Sequence, residues 1–131
     1  MVLMMLKQFA GHHYLNLETL RKNGQPVLTP VWFTQDGERL YVRTIENSGK
    51  VKRIRRNANV RVMPCGRAGE PLGEWVSATA RETRAPAVFA RVRELLLEKY
   101  GAMVQAFEAQ TAAQGLAYTV LEISFNDLLQ P

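Results

Sequence analysis

An antiparallel, mainly β fold, barrel-like with flanking helices and α+β by content, is predicted by three observations. Six short runs carry the alternating, β-branched or aromatic pattern of strands. Tight turn signals, Asn23-Gly24 and Asp36-Gly37, separate the first three runs. Helical patterns do not alternate regularly with the strands, as a parallel α/β sheet would require. Closing such a sheet would also remove the exposed edges that an open one leaves vulnerable.

The elements follow in order. Residues 1–12 predict a short helix with Met4, Met5 and Phe9 facing inward. Tyr14 to Leu20 alternates, with Leu15, Leu17 and Thr19 on one face and Asn16 and Glu18 on the other. After the turn at 22–25, Val27 to Phe33 is the returning strand, and Pro30 implies a bulge or an unpaired edge position. Leu40 to Thr44 makes the third strand. A short basic helix follows, then a strand at Val60 to Cys65. A loop holding Gly66, Gly69, Pro71 and Gly73 leads to the fifth strand, Trp75 to Arg81. Pro86 suits the first helical position and Gly101 the residue after a helix end, so one helix spans 86–101 with Phe89, Val92, Leu96 and Tyr100 as a packing stripe. A second covers 102–114, and Tyr118 to Phe125 is the sixth strand, with Leu121, Ile123 and Phe125 on one face.

At 131 residues the chain is expected to form one domain with a real core. No apolar run approaches the roughly 20 residues that span a bilayer. The N-terminal MVLMML lacks the flanks of a signal peptide, and the single Cys65 excludes an internal disulfide. A cytoplasmic protein is expected. Cys65, at a strand end, reads as a small apolar residue rather than a nucleophile. His12 and His13 are adjacent and have no ligand-like partners, so no metal site is expected.

The chemistry concentrates in one stretch. Between Arg43 and Arg67 lie eight basic residues against one acid, Glu46, within a chain of net charge +5. Asn47 and Ser48 are good N-cap residues, Gly49 allows close backbone approach, and Val51 and Ile54 give the helix an apolar grip. A helix N-terminus offers unpaired N–H groups and partial positive charge, which Lys50, Lys52 and Arg53 reinforce. The pattern predicts a phosphate cradle and an anionic ligand.

Element order, together with TPVWF, RLYVRT, SGKVKRIRRN, VRVMPC and WVSATAR, resembles the pyridoxamine-phosphate-oxidase-like split-barrel flavoproteins. The likeness covers about residues 13–125 and is greatest to the short branch that uses the deazaflavin coenzyme F-420. The resemblance implies a homodimer of six-stranded, Greek-key-like split barrels with flavin-type cofactors, FMN or the deazaflavin, at the subunit interface. By resemblance, Thr44, Ser48 and Lys50 match the phosphate-binding positions. Gly49 stands where relatives can carry an arginine, so the phosphate would lean on backbone N–H groups and Lys50. Arg53 lies one helical turn on, and Arg43 falls near the ribityl chain. Thr29, Pro30, Val31 and Trp32 match the strand along the flavin ring edge, and Trp75 is a contributor from the second subunit. The implied activity is hydride transfer to a small unsaturated organic substrate, with the cofactor carrying the chemistry. A polyglutamate tail on the deazaflavin would suit Arg55, Arg56 and Arg61. The other reading is a non-catalytic flavin or haem carrier or sensor. Nucleic-acid binding is disfavoured because no aromatic residue interleaves the basic ones from Lys50 to Arg67.

Overall fold

The Asn23-Gly24 and Asp36-Gly37 signals fall at chain reversals, and Gly24 and Gly37 hold positive φ of 85° and 61° there. The computed structural model describes residues 2–125; the last six positions of the expected 1–131 domain lie outside the described residues. The elements are α1 (Val2–Lys7), β1 (Tyr14–Leu20), β2 (Pro26–Val31), β3 (Thr34–Asp36), β4 (Arg39–Ile45) and α2 (Gly49–Arg56). They continue with β5 (Asn59–Cys65), β6 (Val76–Thr83), α3 (Pro86–Tyr100), α4 (Met103–Ala113) and β7 (Tyr118–Ser124). All pairings are antiparallel, in the order β2-β1-β5-β6-β7-β4-β3.

The sheet thus has seven strands rather than the six expected, and it is not a closed barrel. The run expected over 27–33 ends at Val31, and Thr34–Asp36 pairs separately with β4, Thr34 opposite Tyr41. No glycine or proline marks this break, so the pattern read as one strand. β2 and β3 lie at opposite ends of the sheet, yet only Trp32 and Phe33 separate them. That link forces the sheet to curl round, although no ladder joins its two ends. Pro30 is tolerated because β2 is an edge strand, paired only with β1.

The seam between the ends is secured by α3. The Tyr100 hydroxyl lies 2.7 Å from the His13 carbonyl, to which it donates, and accepts from the Phe33 N–H at 3.1 Å. Lys99 donates to the Phe33 carbonyl at 2.9 Å, and its ammonium sits 3.5 Å from the Phe33 ring centroid. Backbone groups that a continuous ladder would have satisfied are met by side chains instead. Burial pushes Lys99 down to about 8, while Tyr100 is raised by burial.

Apolar residues fill both faces. Leu15, Leu17, Leu40, Val42, Leu121 and Ile123 pack inside the curl with Val51 and Ile54 of α2. Outside, α3 and α4 cover Tyr41 and Val120 with Val92, Leu96 and Val104. In α1 the expected inward face shifts: Leu6 and Phe9 are buried, but Met4 is 69% exposed. The helix ends at Lys7, and its inward row falls on Val2, Met5 and Leu6. Asn16 and Glu18, on the other face of β1, are buried as well. Asn16 donates to the Gly69 carbonyl at 2.9 Å, and Glu18 takes two bonds from Arg61.

Tyr100→Phe should cost about 1–3 kcal/mol, because the Phe33 N–H loses its acceptor. Urea unfolding measures this as a lower midpoint at unchanged slope. Lys99 has a folded value near 8 and an ordinary one of 10.5, so between these the unfolded chain binds more protons. Stability should therefore rise from about pH 8 towards 10.5. Lys99 is only partly buried, and solvent screening trims the gain to about 1–2 kcal/mol. Unfolding followed across this range in the parent and in Lys99→Met checks it; the variant should lose the rise.

Candidate functional site

β4 leads directly into the basic segment. Its last residues, Thr44 and Ile45, pair with Thr119 and Tyr118 of β7. The chain then turns through Asn47, which takes a left-handed φ of 61°, a conformation asparagine tolerates. Ser48 sits at the N-cap of α2 in extended conformation, but its hydroxyl makes no capping bond. That oxygen is buried and has no hydrogen-bond partner among the described residues. Val51 and Ile54, both buried, hold α2 against the sheet.

Two cations flank this end of the helix. Lys50 Nζ donates to Thr44 Oγ1 at 3.0 Å, and Arg53 Nε donates to Thr19 Oγ1 at 2.7 Å. A Cβ on Gly49 would lie 2.8 Å from an Arg53 guanidinium nitrogen, so the glycine leaves room for Arg53 to fold across the first turn. Neither Lys50 nor Arg53 meets a carboxylate among the described residues, whereas Arg39, Arg43, Arg55, Arg61, Arg81, Arg84, Arg91 and Arg93 all do. Burial, and then the neighbouring Arg53, hold Lys50 below the ordinary lysine range. Burial followed by Arg21 and Arg56 does the same to Arg53. An anion placed here would relieve both effects.

Beside this end lies a cavity of about 380 Å³. It brings together Pro30, Val31, Trp32, Arg43 and Thr44 of the residues expected from the sequence. Thr44 is shared: it lines the cavity and takes the Lys50 hydrogen bond. Trp32 stacks on Tyr100 with centroids 4.0 Å apart and meets the edge of Phe107 at 5.1 Å. Thr29, paired with Leu17 on β2, does not line this cavity. Trp75 stands apart from it, with the Arg61 guanidinium 4.7 Å above its ring.

Arg43 is not a free cation. It pairs with Glu108 of α4 at 2.7 Å and covers the Tyr118 ring at 4.2 Å. Phe107 and Tyr118 line the cavity, Glu108 holds the lining Arg43, and none of the three was expected at the site. Their signal was only the helical spacing of α4 and the strand period of β7. Arg55 and Arg61 are also paired, with Glu82 and Glu18, whereas Arg56 meets only the Leu20 carbonyl. Cys65 is buried, and burial followed by Glu70 pushes its thiol up to about 11, far from a thiolate. Among the described residues no three His, Cys, Asp or Glu side chains converge as a metal site. No described helix is long and apolar enough to cross a membrane.

These features fit a phosphate-bearing planar group: a buried hydroxyl without a partner, two cations without acids, free helical N–H groups and an aromatic-walled cavity alongside. Ser48→Ala should leave stability unchanged or raise it, since no capping bond is lost. A fall of about 1 kcal/mol in unfolding free energy would instead show that the hydroxyl caps the helix in solution.

A family model described as pyridoxamine 5'-phosphate oxidase matches residues 5–130. No curated protein matches the chain. Among solved structures, HutZ, the heme storage protein from Vibrio cholerae, superposes with a TM-score of 0.71 at 14% identity, covering 95% of this chain and 89% of that one. A conserved hypothetical protein from Mycobacterium tuberculosis gives 0.70 at 19% identity, over 95% and 79% of the two chains. A FAD-binding protein from Mesorhizobium loti gives 0.65 at 17% identity, over 97% and 89%. At these identities the likeness is one of fold. The family match, spanning nearly the whole chain, places the protein in the pyridoxamine 5'-phosphate oxidase family.

Proposed function

We propose that this chain is a flavin-type oxidoreductase that binds FMN or the deazaflavin coenzyme F-420 as a homodimer. The observation that carries the reading is the joint of Lys50, Thr44 and Ser48: an acid-free cation and an unpartnered hydroxyl at a helix N-terminus, opening onto an aromatic cavity. Ser48, Gly49, Lys50 and Thr44 would hold the phosphate, with Arg53 closing over the first turn. Pro30, Val31 and Trp32 would present backbone groups to the ring edge, Pro30 offering a carbonyl but no N–H, while Thr29 continues the same strand outside the cavity. Arg43, neutralised by Glu108, serves as cavity wall beside the linking chain rather than as an anion clamp.

When bound, the cofactor supplies hydride transfer to a small unsaturated organic substrate. The protein supplies position and a dry surround. Trp32 is fixed by Tyr100 and Phe107, so one wall of the cavity is set before any ligand arrives. Trp75 lies outside the cavity of its own chain, which suits a contribution from the second subunit.

A non-catalytic flavin carrier is the second reading. It is favoured by the cavity lining, which holds no carboxylate, histidine or cysteine to act as acid or base. For haem, the same lining offers Tyr14 and Tyr118 as axial ligands but no histidine, cysteine or methionine.

Paired titrations of the protein with FMN and with the deazaflavin, repeated on Lys50→Ala, test the reading. One cofactor should bind tightly, and the variant should lose about 1.5–3 kcal/mol, the scale of a charge-assisted hydrogen bond. Binding of neither would overturn it. A bound cofactor that transfers no electrons to any of a panel of acceptors, in the presence of a reductant, would favour the carrier.

A further inference from the structure

Next to Lys50 around α2, positions 49, 52, 53 and 56 follow the i, i+3, i+4, i+7 rule and share one helix face. Gly49, Lys52, Arg53 and Arg56 from this face meet Arg21, Lys22 and Asn23 from the β1–β2 turn across a groove of about 440 Å³. None of the five cations forms an ion pair among the described residues, although most arginines elsewhere on the chain do. Two of them are held in place by neutral acceptors: Arg53 by the Thr19 hydroxyl and Arg56 by the Leu20 carbonyl at 3.2 Å. Burial first, and then Arg21 and Arg56, hold the Arg53 guanidinium below its ordinary range. Like charges gathered without acids, on side chains already positioned, cost stability unless an anion offsets them.

We propose that this groove is a second phosphate subsite, adjoining the Lys50–Thr44 cradle and sharing Gly49 and Arg53 with it, that takes a diphosphate or a short polyphosphate. Guanidinium forks from Arg21, Arg53 and Arg56 match phosphate oxygens in pairs, and the lysines add point charge. The lining carries no aromatic or large apolar side chain, so the groove recognises charge and no base. The first turn of α2 stands between the two subsites, with Gly49 lining the groove and Lys50 turned to Thr44. The occupant is either the diphosphate of a dinucleotide form of the flavin, which rests on the cofactor reading above, or a separate phosphate ligand, which does not.

The test uses calorimetry with tripolyphosphate, FMN and flavin adenine dinucleotide on the parent chain and on the triple variant Arg21→Ala, Lys22→Ala, Arg56→Ala. All three positions are solvent-exposed, and circular dichroism checks that the variant keeps its fold. Tripolyphosphate should bind the parent with or without saturating FMN, and the variant should bind it at least about 10-fold more weakly. FMN affinity should stay within about twofold between the two proteins. A dinucleotide that outbinds FMN on the parent and loses that margin on the variant identifies the cofactor's own diphosphate as occupant. Equal affinities, with tripolyphosphate still bound beside FMN, identify a separate ligand. The proposal falls if the variant binds tripolyphosphate as the parent does, or if FMN displaces it completely. Groove-dependent tripolyphosphate binding without any FMN binding would uphold the groove and overturn the cofactor reading.

Discussion

The structure depends on one covalent constraint: two residues, Trp32 and Phe33, join strands that lie at opposite ends of a seven-strand order. A flat sheet could not meet this condition, so the sheet curls and encloses its core. The unpaired backbone at the join must then be satisfied by something other than a strand, and α3 does it with Tyr100 and Lys99. Docking α3 at the seam sets Tyr100 under Trp32 and brings α4, with Phe107 and Glu108, over β4 and β7. The aromatic cavity is therefore a consequence of how the sheet fails to close.

Charge is arranged by the same elements but to a different end. Carboxylates neutralise arginines over much of the molecule, and several of these pairs tie sheet to helix or strand to strand. Arg43 with Glu108 and Arg81 with Glu122 are examples. Around α2 the pattern reverses. Among the described residues Lys50, Arg53 and Arg56 have neutral partners only, and for Lys50 and Arg53 burial and neighbouring cations oppose the charged form. Exposed ion pairs contribute little, but cations gathered and partly desolvated without acids have a cost that a bound anion removes. A fold keeps such a cluster where an anion belongs.

Much of this was legible in the chain. Asn-Gly and Asp-Gly marked two of the reversals, period-two runs marked most strands, and Pro86 and Gly101 bracketed α3. The α2 site read clearly because a strand, two cap residues, a glycine and several cations occur in unbroken succession. The β2–β3 break did not read, because Trp32 and Phe33 are good strand residues and only the tertiary link interrupts them. Partners of Arg43 and Arg55 lie far along the chain, 65 and 27 residues away, so their neutralisation had no local signature. Tyr100 read as packing alone, since a hydroxyl that bridges two backbone groups looks in sequence like any tyrosine on a helical stripe. A helix running the full length of residues 1–12 would turn Met4 inward, whereas the shorter Val2–Lys7 leaves it exposed.

The most direct measurement of the central idea is an amide-resolved NMR titration with FMN and, in parallel, with riboflavin, which lacks the phosphate. The account predicts that FMN moves the N–H signals of Ser48, Gly49, Lys50 and Val51 most, together with Thr44, and that riboflavin leaves these unmoved. Shifts from FMN that spare the start of α2, or equal shifts from riboflavin at these amides, would contradict it.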